Sequence, residues 1–207
     1  MKESGFWRYE NRLIAILAIN FGFVFIDRNA FGYLAPFIAP DLGLNNTEIG
    51  AIVSALSFTW AVSGILFGGL AESLGKRKFI LIISVVVFSL CSVLSGLASS
   101  FLMLIAARLI MGMSEGGIGP ISQNLVVLEA SPEKRGAAMG IMQNSLSSLF
   151  GSFAAPLVLV AIATALSWRD AFYLAAIPGM IMALVIAKYI REPTMAEVVK
   201  HHHEELS

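Results

Sequence analysis

The sequence predicts an all-α membrane protein, a bundle of six transmembrane helices. Three observations predict it. Of the residues 57% are hydrophobic and only 14% charged, at a mean hydropathy of +0.79; six apolar runs are each long enough to cross a bilayer; and the basic residues gather on one side of those runs. A soluble domain carries roughly 45–50% apolar and about 25% charged residues, and a span needs about 20 mostly apolar residues to cross roughly 30 Å of hydrocarbon. With 14 basic against 14 acidic residues there is no excess positive field to hold a nucleic acid backbone, so no nucleic acid partner is expected.

The runs lie at Leu13 to Phe37, Ile49 to Leu70, Phe79 to Ala98, Phe101 to Leu128, Ala137 to Ala165 and Ala171 to Ile190. Polar or turn-forming residues separate them: Asp41 to Glu48, Gly75 to Lys78, Ser99-Ser100, Ser131 to Arg135, and Trp168 to Asp170. Lys2, Arg8 and Arg12 before the first run resemble a signal peptide, but no small-residue cleavage site follows, so the run reads as the first helix. Pairs of small residues, Gly64/Gly68, Gly112/Gly116 and Gly136/Gly140, are expected to let helices approach closely.

Orientation follows from the cations. With a cytoplasmic N-terminus, Lys2, Arg8, Arg12, Lys76, Arg77, Lys78, Lys134, Arg135, Lys188, Arg191 and Lys200 all lie inside and only Arg169 lies outside. That split predicts residues 1–12 as a cytoplasmic N-terminus, 13–190 as the six-helix bundle and 191–207 as the cytoplasmic start of a linker, in a cell (inner or plasma) membrane. Cys91 stands alone in an apolar run and reads as a small buried hydrophobe. His201 to His203 are consecutive and cannot share a helix face, so no metal or other cofactor is expected.

Four charges break the pattern. Asp27 and Arg28 interrupt the first span, and Arg108 and Glu115 lie in the fourth. A charge near the bilayer centre costs about 2.5–3.5 kcal/mol on insertion scales, so these four should face a polar interior and pair. Asp27 is 14 residues from the inner end of its span, roughly 21 Å, and Arg108 seven from the outer end of its own, roughly 10 Å, so the two meet at similar depth. Asp27 and Arg28 are adjacent and point about 100° apart. The expected arrangement pairs Asp27 with Arg108 and leaves Arg28 for a ligand. Asn20, one heptad before Asp27, and Gln143, Asn144, Ser147 and Ser148 of the fifth span are candidates for a hydrogen-bonding wall, each with the alternative of bonding its own helix or a neighbouring one.

The loop Gly68-Gly-Leu-Ala-Glu72-Ser-Leu-Gly75-Lys76-Arg77-Lys78 resembles the signature loop of the major facilitator superfamily, with glutamate at 72 where aspartate is usual. Arg108-Leu-Ile-Met-Gly112 resembles its fourth-helix arginine-glycine motif, Pro132-Glu-Lys-Arg135-Gly136 its loop between helices four and five, and Trp168-Arg169-Asp-Ala-Phe172 the start of its sixth helix. More narrowly, Asp27-Arg28 with Arg108 and Glu115 resembles the anion:cation symporter family of sugar-acid and organic-anion transporters.

The resemblance implies a secondary active transporter that carries a small organic anion with protons by alternating access. It implies the N-terminal half of a twelve-helix fold, itself two three-helix inverted repeats, whose missing partner is a C-terminal six-helix half. Asp27 and Glu115 would exchange protons, Arg28 and Arg108 would handle the substrate carboxylate, and Glu72, Gly75, Lys76 and Arg77 would form a cytoplasmic gate. The alternatives are a carrier of the same superfamily working as an antiporter or on neutral solutes, and an assembly subunit without transport of its own. An intramembrane serine hydrolase is a further alternative, because Gly112-Met-Ser114-Glu-Gly116 fits G-x-S-x-G. That motif needs a strand-to-helix elbow and a nearby base, and here it lies mid-helix with no histidine at depth, so the chain is not expected to be an enzyme.

Overall fold

Residues 9–193 are described by the computed structural model, without the side chains at positions 68 and 72. Residues 1–8 and 194–207, His201 to His203 among them, lie outside the described residues, as does the Glu72 side chain. Six helices long and apolar enough to cross a membrane follow one another: α1 (Tyr9–Leu42), α2 (Asn46–Leu74), α3 (Arg77–Gly96), α4 (Phe101–Glu129), α5 (Pro132–Ala165) and α6 (Trp168–Tyr189). Each contains most of the apolar run predicted for it. The first is longer than its run: 34 residues rise about 51 Å, more than the hydrocarbon needs, so its ends continue as helix into polar sequence.

The turns use the residues the breaks supplied. Gly43 and Gly75 take φ of 65° and 61°, left-handed values that cost glycine nothing, and each closes a helix. Asn45 and Glu48 form a reciprocal capping box at the start of α2: each backbone N–H donates to the other's side-chain oxygen, at 2.9 and 3.0 Å. Ser100 accepts from the Met103 N–H to cap α4, Ser167 accepts from the Arg169 N–H to cap α6, and Pro132 opens α5 where its missing N–H is no loss.

The buried face of α1 is a heptad seam, Leu13, Leu17, Asn20, Val24, Asp27, Phe31, Leu34 and Ile38, every member of it buried. On α4 the matching seam is Leu104, Arg108, Met111, Glu115, Ile118, Ser122 and Leu125, also buried throughout. Two apolar layers fill the interior. One, around Leu17, Val24, Leu81, Val85, Met111, Ile118 and Leu125, lies toward the end where Tyr9 Oη accepts from the Arg191 N–H; the other, around Phe31, Leu34, Leu104, Leu159 and Phe172, lies toward the opposite end. Asp27 and Arg108 sit where the layers meet.

Close packing of α2 on α4 depends on glycine. A Cβ on Gly112 would collide with Thr59 Oγ1 and the Leu56 carbonyl, and one on Gly116 with Ser63 Oγ and the Trp60 carbonyl. Ser63 crosses the same gap to donate to the Gly112 carbonyl at 3.2 Å. Gly136 and Gly140 do not serve as expected: a Cβ on either meets nothing within 4 Å, because this stretch of α5 lies on the surface. The same substitution should therefore act oppositely at two sites. Gly116→Ala should cost about 1–3 kcal/mol through overpacking and lower the melting temperature in detergent by several degrees, whereas Gly136→Ala should leave it unchanged or raise it slightly through helix propensity. Equal melting temperatures for the two variants would contradict this account of the α2–α4 contact.

Candidate functional site

The seam of α1 decides which way its two charges point. Asp27 belongs to it and faces α3 and α6, where its Oδ1 accepts from Ser92 Oγ at 2.8 Å; the residue is wholly buried. Arg28, one step round the helix, leaves the interior and reaches toward α2 and α4. Its Nη1 lies 3.5 Å from Glu115 Oε2, and its guanidinium stacks 4.4 Å above the Trp60 ring. The expected Asp27–Arg108 ion pair is therefore replaced by an Arg28–Glu115 pair. Arg108 Nη1 donates instead to the Asp27 backbone carbonyl at 3.4 Å and to Met111 Sδ at 3.4 Å, with its guanidinium 5.0 Å from the Phe172 ring and 5.6 Å from Phe31.

Arg28 and Arg108 nevertheless share a space. Together with Asn29, Phe31, Gly32, Ile52, Leu56 and Ser57 they line a cavity of about 130 Å³ between α1, α2 and α4. Two guanidiniums on one small cavity attract a carboxylate, and their planar forks match its two oxygens. The contact that now holds Arg28 is a single long one, against about 2.7–2.9 Å for a tight charge-assisted bond, so an incoming anion can compete for it. A second cavity, of about 420 Å³, is lined by Phe21, Trp60, Gly116, Pro120, Gln123 and Gln143 among others. Gln143 thus faces a cavity, but not the one that holds the arginines.

The remaining expected residues are dispersed. Asn20 lies in the α1 seam with zero exposure, and neither its Oδ1 nor its Nδ2 has a hydrogen-bond partner among the described residues. Ser147 is buried and donates to the Gln143 carbonyl of its own helix, while Asn144 and Ser148 are on the exposed side of α5. Ile141–Ser145 and Leu149–Ala154 of this span are π-helical. In the wider register the Gly151 carbonyl looks toward Pro156, which has no N–H; Tyr33 Oη donates to it at 3.1 Å and Asn29 Nδ2 at 3.4 Å.

At the α2–α3 turn Lys76 is exposed, but Arg77 is buried and donates from Nε to Asn124 Oδ1 of α4 at 2.6 Å. Ser114 of the G-x-S-x-G stretch lies mid-helix and donates to the Met111 carbonyl of its own helix at 2.8 Å. Among the described residues no cluster of three or more His, Cys, Asp or Glu is placed to hold a metal ion.

A family model described as Major Facilitator Superfamily matches residues 17–206. The chain belongs to the major facilitator superfamily. Among curated superfamily relatives it is 35% identical over 168 residues to a hexuronate transporter of Bacillus subtilis, a match covering 81% of this chain and 39% of that protein. It is also 29% identical over 180 residues to a Cupriavidus necator protein named "Probable sulfoacetate transporter SauU", covering 87% of this chain and 41% of that one. The fold is similar to that of a bacterial homologue of the human lysosomal transporter Spinster in an inward-facing conformation, at a TM-score of 0.80 and 23% identity, covering 91% of this chain and 44% of that one. The chain thus spans less than half the length of these superfamily members.

Three partners in the site carry no sequence signal of their own. Trp60 is one aromatic residue in an apolar run, Ser92 one of four buried serines on α3, and Tyr33 a residue one turn beyond Asn29. Only the contacts they make in the fold, with Arg28, Asp27 and the Gly151 carbonyl, distinguish them.

Proposed function

We propose that this chain is the N-terminal half of a proton-coupled symporter for a small organic anion, a sugar acid or similar carboxylate. The observation that carries the reading is the placement of Arg28 and Arg108 on one cavity, with Glu115 as the exchangeable partner of Arg28. In this mechanism a substrate carboxylate takes Arg28 from Glu115. The released Glu115 is wholly buried, and an unpaired buried charge is costly, so it is neutralised by a proton. Asp27 takes the second proton beside Arg108. Substrate and protons then move together when the bundle rocks against its partner half. The hexuronate transporter among the relatives supports a carboxylate substrate.

The outer faces support a partner half. Phe58, Ile65 and Leu66 of α2 and Phe153 and Leu157 of α5 are more than 60% exposed, which makes these two helices the least covered of the six. Gln143, on the cavity beside Trp60, would meet substrate hydroxyls. Arg77, Lys76 and Glu72 at the α2–α3 turn would close the cytoplasmic side of a plasma or inner membrane in which both termini face the cytoplasm. Co-expression of this chain with a C-terminal half from the same superfamily should give saturable uptake of a labelled hexuronate or aldonate that acidic medium accelerates. Uptake confined to neutral sugars, or insensitive to external pH, would overturn the reading.

A further inference from the structure

Ser92 stands apart from the other serines of α3. Ser89 and Ser95 donate to carbonyls of their own helix, Val85 and Cys91, each at 2.8 Å. The Ser92 hydroxyl turns outward and lies between two acceptors on different helices, Asp27 Oδ1 of α1 at 2.8 Å and the Phe172 carbonyl of α6 at 3.0 Å. Both Ser92 and Asp27 have zero exposure. A hydroxyl has one proton to donate, so it can satisfy only one of these acceptors at a time.

We propose that Ser92 is a positioning residue whose single proton reports the state of Asp27 to α6. When Asp27 is ionised, Ser92 donates to the carboxylate, the stronger acceptor, and the Phe172 carbonyl receives nothing from it. When Asp27 carries a proton on Oδ1, that O–H donates to Ser92 Oγ, and the serine hydroxyl rotates to donate to Phe172. No proton leaves the serine; the α1–α3 hydrogen bond reverses direction, and one between α3 and α6 is gained. Protonation of Asp27 thereby tightens α3 against α6. The inference rests on the proposed reading that Asp27 takes up a proton.

The groups that act on Asp27 electrostatically are Arg108 and Glu115 of α4 and Cys91 of α3, with Arg28 its neighbour on α1. None of them is altered by replacing Ser92. The chain has three aspartates, Asp27, Asp41 and Asp170, so carboxyl-13C aspartate labelling of the whole chain in lipid bilayers gives three signals, and Asp27→Asn assigns the one of interest. Ser92→Ala removes a charge-assisted hydrogen bond from ionised Asp27 and a neutral one, roughly half as strong, from the protonated form. The difference should raise the titration midpoint of Asp27 by about one unit, a tenfold tighter hold on the proton. Ser92→Cys, close to serine in size but a weak donor, should move it in the same direction and carries the test if the alanine variant does not fold. An Asp27 that titrates with the same midpoint in wild type, Ser92→Ala and Ser92→Cys overturns this role and leaves the proposed transport mechanism standing. An Asp27 that does not titrate in the wild type between pH 4 and pH 10 overturns both.

Discussion

Arg28→Lys is expected to weaken substrate binding by roughly 10- to 100-fold in the transporter assembled from this chain and a C-terminal half. Arg28 is the cation of the site that reaches both the cavity and an exchangeable acid, and its guanidinium lies over the Trp60 ring, 4.4 Å from the ring centre. An ammonium offers no fork for a carboxylate and no flat face for an indole. Hydrogen bonds to charged groups are worth about 1.5–3 kcal/mol each, which supplies that factor. Isothermal titration of hexuronate into the purified variant measures it. Unchanged affinity would remove Arg28 from the substrate site and return the Arg28–Glu115 pair to a purely structural role.

Glu115→Gln should give the second large effect, on coupling and not on binding. Glutamine mimics the protonated acid and cannot cycle, so exchange of substrate across the membrane should continue while accumulation stops. Each pH unit of gradient corresponds to about 1.36 kcal/mol per proton, a tenfold concentration ratio. The Glu115 proton thus supports about tenfold accumulation across one pH unit; in the variant the unloaded transporter cannot return without releasing that proton, so net entry stops, the Asp27 proton with it, and only exchange remains. Counterflow and net uptake, measured on the same vesicles, separate the two activities. Accumulation that survives in Glu115→Gln would assign the proton elsewhere.

The spans and their turns are legible in the sequence because lipid demands them: an apolar run must be a closed helix, and the residues that break it must lie at its ends. Asn45 with Glu48, Ser100, Pro132 and Ser167 are recognisable as caps from residue type and spacing alone. What is not legible is which face of each helix looks inward. In a soluble helix the polar side marks the outside, but here the lipid-facing side is as apolar as the core, so α1 carries almost no polarity difference between its faces. The seam from Leu13 to Ile38 exists in the sequence as spacing alone. Without it the adjacency of Asp27 and Arg28 shows that they diverge, not which of them faces inward; in the fold Arg108 meets the Asp27 backbone carbonyl and Arg28 pairs with Glu115. The fifth span departs from expectation for another reason. Asn144 and Ser148 lie on its exposed side and Ser147 bonds its own backbone, in a span whose π-helical turns leave Pro156, which withholds an N–H, as their trace in the sequence. Asn20, one heptad from Asp27, is expected to face substrate; the same heptad places it inside the seam.

If anion and protons move together, both can be counted in one experiment. Proteoliposomes holding this chain with a C-terminal half are given hexuronate in weakly buffered medium, and substrate entry and external pH are followed at once. The account predicts that the medium turns alkaline as substrate enters, with at least one proton taken up per anion, and that the alkalinisation vanishes in Glu115→Gln. Substrate entry with no change in external pH, or with acidification, would contradict it.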